Sequence, residues 1–137
     1  MKIIVDTNRI IAALIKDSAS RKIILSGKVE LLTAEFVRGE LQNHKKEVRN
    51  KVHIKESDLD ALLSKFFKRI YVVEDIALKE RFEAAKATMD KIDPDDTPLI
   101  ALALAVENDG IWSDDKHFAM QKAIRILNTA DMLELLE

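Results

Sequence analysis

Apolar, strand-forming residues are concentrated in five short runs along the chain: Lys2–Asp6, Val29–Leu32, Ile70–Val73, Ile111–Ser113 and Ile124–Leu127. Between these runs the apolar positions change to helical spacing, which predicts helices over Asn8–Ile15, Ser20–Leu25, Glu35–Val52, Asp58–Phe67, Ala77–Met89, Asp96–Val106, Lys116–Lys122 and Met132–Leu136. In the longest of these, Val37, Leu41, Val48 and Val52 form one apolar stripe, and Glu40 falls at its margin, where a carboxylate can reach toward a cleft. Leu99–Val106 is apolar on every side, as expected of a helix buried in the middle of a fold. Ser57 with Asp60 reads as a capping box, and Thr129 as the N-cap of the last helix. Strands alternating with helices predict right-handed crossovers and a mainly parallel sheet. The expected fold is therefore α/β, a three-layer α/β/α sandwich forming a single domain over residues 1–137.

Composition narrows the chemistry. The chain has no Cys, which excludes disulfides, thiolate metal sites and cysteine nucleophiles, and suits a reducing cytosol. Neither a signal peptide nor a membrane-spanning run is apparent, so a soluble cytoplasmic protein is expected. Charge is unevenly spread: residues 1–68 carry 14 Lys and Arg against 9 Asp and Glu, whereas residues 69–137 carry 8 against 15. A basic flank beside an acidic floor would suit a polyanionic substrate that needs a metal. Random scatter of surface charge accounts for these totals about as well.

The acids stand where elements end. Asp6 terminates the first strand immediately before a helix, at the edge where open α/β sheets bind their ligands. Asp93, Asp95 and Asp96 cluster ahead of the all-apolar helix, with Pro98 in its first turn. Asp93 and Asp95 read as capping or solvated residues, and Asp96 equally well as a cap or a ligand. Asp114 and Asp115 end the fourth strand, and one of the two is expected to cap the following helix. Carboxylates without a His or Cys cluster favour Mg²⁺ or Mn²⁺ over Zn²⁺.

Four stretches together carry a resemblance to a known family. These are Ile4-Val5-Asp6-Thr7-Asn8, then Glu40-Leu41, then Asp96-Thr97-Pro98-Leu99-Ile100-Ala101-Leu102-Ala103, and last Ile111-Trp112-Ser113-Asp114-Asp115-Lys116-His117-Phe118. In this order and at these separations the chain resembles a PIN-domain protein over essentially its whole length. That resemblance implies a sheet order of 3-2-1-4-5 and a Mg²⁺- or Mn²⁺-dependent ribonuclease, most often the VapC-type toxin of a toxin–antitoxin pair, leaving 5′-phosphate and 3′-hydroxyl ends. It implies Asp6, Glu40, Asp96 and Asp115 as the four catalytic, metal-holding acids. Asp114 would fill the variable position beside the fourth acid, and Thr7, Asn8 and Ser113 would orient the acids. His117 stands where relatives often carry a further Asp. The resemblance also implies a homodimer and a small antitoxin protein that blocks the acidic cleft.

Arg38, Lys45, Lys46 and Arg49 read either as an RNA-backbone flank or, somewhat better, as the solvated face of a long helix. His44 and His53 read as surface residues, and Trp112 and Phe118 as core. Two other classes fit less well. A phospho-acceptor domain needs a central acceptor Asp and a Lys after the last strand, but Glu74-Asp75 ends the middle strand and no matching Lys follows Leu127. A catalytically inactive PIN-like module that binds RNA or protein is the stronger alternative.

Overall fold

The computed structural model describes residues 1–16 and 18–137. Its centre is a five-stranded parallel sheet of β1 (Lys2–Val5), β2 (Glu30–Ala34), β3 (Ile70–Val73), β4 (Ile111–Trp112) and β5 (Ile126–Leu127), in the order β3-β2-β1-β4-β5. β1 is therefore central, and its register sets Ile4 against Ile111 and Val5 against Trp112. The Asp6 N–H continues this ladder by donating to the Trp112 carbonyl at 3.1 Å.

Side chains of successive strand residues point to opposite faces, and β1 uses both. Ile3 and Val5 enter a core built with α1 (Thr7–Ile15), α2 (Ser18–Ser26), α3 (Phe36–Val52), α4 (Glu56–Phe67) and α8 (Thr129–Leu135). Ile4 enters the opposite core, built with a 3₁₀ segment (Asp75–Arg81), α5 (Phe82–Met89), α6 (Thr97–Ala105) and Phe118 of α7 (Lys116–Ala119). This is the expected three-layer sandwich. Helix α6 is the apolar element read from Leu99–Val106. It lies between the sheet and α5, so Leu99 to Ala103 are all buried. Gly110 brings β4 against β5: its φ is +144°, and a Cβ there would stand 2.8 Å from the Arg125 carbonyl oxygen.

The differences from expectation lie at element ends. Ala77–Met89 is not one helix but a 3₁₀ segment followed by α5, the segment beginning at Asp75, whose carboxylate accepts from the Phe36 N–H at 2.9 Å. Ser57 and Asp60 form no capping box. α4 begins at Glu56 after Lys55, and Asp60 is drawn instead to the Lys45 ammonium at 2.6 Å. Thr129 does not cap α8, because Asn128 and Asp131 form a reciprocal capping box one residue earlier. α7 stops at Ala119, where the buried Gln121 side chain donates to the Phe118 and Ile124 carbonyls and closes the loop into β5.

Candidate metal centre at the carboxyl edge of the sheet

Because β1 and β4 are neighbours, the residues just beyond their carboxyl ends share one edge. Asp6 is 6% exposed there. Ser113 Oγ donates to Asp6 Oδ2 at 2.7 Å and accepts from the Asp115 N–H at 3.0 Å, tying the two strand ends together. Asp115 Oδ1 in turn accepts from the His117 N–H at 2.9 Å, so Asp115 is the member of the acid pair that caps α7. The Asn8 backbone N–H also reaches the Asp6 carboxylate, and the Thr7 side chain reaches Glu40 from α3. Thr7 and Ser113 thus act through their hydroxyls, whereas Asn8, its side chain exposed, acts through its backbone.

Asp96 enters from the other core layer. It ends a 3₁₀ turn (Pro94–Asp96) whose cap is Asp93, which accepts from the Asp95 N–H at 3.1 Å. Asp96 makes no capping bond to α6, so the cap reading does not hold for it. Its Oδ2 is buried and, among the described residues, has no hydrogen-bond partner.

The carboxylates work against one another. Burial and then Asp115, Asp93 and Asp6 push the Asp96 pKa up to about 7, partly offset by His117. Asp6 is raised, chiefly by burial with a contribution from Asp115, against the opposing pull of Ser113, Asn8 and Arg9. Glu40 is raised by burial and then by Asp6, while His44 and Thr7 oppose this. Desolvation and like charge act in the same direction at all three groups. A divalent cation would relieve both effects.

Two residues belong to this cluster that sequence reading set apart. Asp93 Oδ2 lies 3.3 Å from His117 Nδ1, and the same nitrogen lies 3.3 Å from Asp115 Oδ1. Asp93, Asp96 and His117 each bring one donor atom within 4.8 Å of the other two. The available signal was spacing: residues 93 and 96 are three apart, and a 3₁₀ turn places such positions on one side.

Asp114 points elsewhere. It accepts from the Thr129 N–H at 2.7 Å and from Thr129 Oγ1 at 2.6 Å, and pairs with Arg9 at 2.8 Å. The basic residues of α3 are largely engaged by α4. Lys45 bridges Glu56 and Asp60, Arg49 lies 3.6 Å from Glu56, and Arg38 covers the Phe67 ring, whereas Lys46 is exposed. A cavity of about 690 Å³ opens elsewhere, over Leu32, Tyr71, Val73 and Val106 with a charged rim, and none of the perturbed carboxylates line it.

Compared with known families, residues 4–136 match the model described as PIN domain. No curated protein matches the chain.

Proposed function

The chain belongs to the PIN-domain family, and from that premise we propose that it is a divalent-metal-dependent endoribonuclease working at the acidic edge of β1 and β4. The family is one of nuclease folds. The observation that carries the reading here is Asp96: a carboxylate pushed up to about 7 by burial and then by its acidic neighbours, with a buried oxygen that no donor among the described residues satisfies. A fold that gathers acids from β1, α3, the 3₁₀ turn and β4 at this electrostatic disadvantage fits a cation. Oxygen donors on Asp6, Glu40, Asp96 and Asp115 suit Mg²⁺ or Mn²⁺.

The chemistry that such a cation supplies when bound is charge stabilisation at a phosphate and acidification of water. The chain's own residues hold the frame for it. Ser113 fixes Asp6 and the turn into Asp115, while the His117 N–H holds one Asp115 oxygen and leaves the other available. Thr7 restrains Glu40 at the mouth of the site. In the proposed reaction water adds its oxygen to phosphorus and the bond to the 3′ oxygen breaks. That oxygen takes a proton, leaving a 3′-hydroxyl on one fragment and a 5′-phosphate on the other. RNA rather than DNA as substrate, a VapC-type toxin role, a homodimer and a small antitoxin partner are supported by family resemblance and complete this proposal.

Incubating the protein with single-stranded RNA and tRNA in Mg²⁺ or Mn²⁺, beside Asp6→Asn and Asp96→Asn, tests the reading. Cleavage is expected in the wild type alone, and EDTA should abolish it. Equal cleavage by the variants, or indifference to EDTA, would sink the proposal.

A further inference from the structure

We propose that His117 supplies a nitrogen ligand, with Asp93 and Asp96, to a divalent ion at this edge, so that the protein prefers a transition metal such as Mn²⁺ to Mg²⁺. This rests on reading the acidic edge as a metal centre, and it concerns which ion is chosen and by which atoms.

The geometry supports it from three sides. Donor atoms sharing one ion at about 2.0–2.2 Å stand roughly 3–4.4 Å apart, and those of Asp93, Asp96 and His117 fall within 4.8 Å of one another. Each donor is aimed by its own backbone. Asp93 Oδ1 is occupied by the Asp95 N–H, while Oδ2 faces the imidazole. His117 is placed by its N–H bond to Asp115 and by the buried Phe118 beside it on α7. Finally, Asp96 Oδ2 is buried with no donor among the described residues to satisfy it, which marks it as a place for a cation.

Donor type decides the metal. Mg²⁺ demands oxygen ligands in near-ideal octahedral geometry, whereas imidazole suits borderline transition ions. An all-carboxylate edge would leave the choice between Mg²⁺ and Mn²⁺ open, and a ring nitrogen shifts it to Mn²⁺. The competing role for His117 is a protonated imidazolium that merely neutralises Asp93 and Asp115, in which case its nitrogen never meets the metal.

Titration of the full chain with Mn²⁺ and with Mg²⁺ by calorimetry, together with pulsed EPR of the Mn²⁺-loaded protein for ¹⁴N coupling, separates these roles. Nitrogen coupling is expected in the wild type and lost in His117→Ala. In that variant Mn²⁺ affinity should fall about 10-fold or more while Mg²⁺ affinity changes less than about 2-fold. His117→Asp should restore an all-oxygen set and move the preference toward Mg²⁺. The His117 side chain is 41% exposed, so both variants should fold, which thermal melting checks. His44 and His53 serve as internal controls, because their nitrogens remain in every variant. Mn²⁺ bound without nitrogen coupling, or an unchanged Mn²⁺ to Mg²⁺ ratio in His117→Ala, overturns the assignment and leaves the nuclease reading standing. Nitrogen-coupled Mn²⁺ with no RNA cleavage does the reverse, and failure to bind either ion overturns both.

Discussion

Asp114 and Asp115 are adjacent in sequence and live in opposite surroundings. Asp114 is satisfied on both oxygens by Thr129 and carries Arg9 as its counter-ion. The Thr129 hydroxyl also accepts from the Trp112 indole N–H, so the group locks β4, α1 and α8 together. Asp115 raises the pKa of both Asp6 and Asp96, and His117 stands between it and Asp93. A carboxylate with donors on every side is structural. Asp115 instead raises its neighbours' pKa values, and one of those neighbours, Asp96, holds a buried oxygen that nothing among the described residues matches, so the cluster stores a demand for a cation.

The sharpest way to test this contrast is to neutralise one acid in each region. Asp96→Asn should lower RNA cleavage by about 100-fold or more, since it removes a ligand from the transition-state environment, yet melt no lower than wild type without metal because repulsion is relieved. Asp114→Ala should do the opposite. It should lose about 1–2 kcal/mol of stability, discounted for its partial exposure, while keeping metal binding. Denaturant unfolding and cleavage assays on the two variants check both halves. If Asp96→Asn unfolded more easily than Asp114→Ala, the contrast would collapse.

Metal should act on one region alone. At pH 7.5, Mn²⁺ at 100 times its Kd should stabilise the wild type by about 2.7 kcal/mol, read as a rise in Tm, and Asp96→Asn should lose most of this gain. A similar rise in that variant would place the ion elsewhere.

A smaller effect follows from pH. Asp96 is raised from the ordinary 3.8 to about 7, so the folded state holds a proton that the unfolded chain has already released. That contribution to stability is complete below about pH 4 and is lost as pH rises through 7. Asp6 and Glu40, shifted the same way, add to the loss. Metal-free protein should therefore melt progressively lower between pH 4 and pH 7. Saturating Mn²⁺ should flatten or reverse the trend, and a flat profile without metal would contradict the raised values.

The smallest effect is expected on α3. Lys46→Glu should reduce the slope of RNA affinity against salt by about one phosphate contact. Lys45→Glu should mainly loosen α3 from α4, since Lys45 already bridges Glu56 and Asp60. Salt titrations of binding by both variants distinguish a backbone flank from an internal tether.

Most of the fold was legible because its periodicities are local. The five apolar runs, the long α3 stripe and the wholly apolar α6 each state their own burial, and short parallel strands joined by helices admit few topologies. Element ends were less legible, because several local cues compete for one backbone N–H. Ser57 with Asp60 has the form of a capping box, but a lysine 15 residues earlier on a neighbouring helix held Asp60 instead. Thr129 has the form of a cap, but Asn128 offered a reciprocal bond with Asp131.

What the sequence determined by itself was an α/β chain with acids at the ends of its elements, and, through family resemblance, which four of them to bring together. Tertiary structure alone decided what each acid meets. Asp114 turned to Arg9 and Thr129, Asp115 to Asp6 and Asp96, and Asp93 with His117 joined the edge from residues that spacing had left as a cap and a substitution. The physical reason is range. Backbone propensity and hydrophobic spacing act within a few residues, whereas a carboxylate's partner is set by desolvation and charge across elements about a hundred residues apart, as with Ser113 and Asp6.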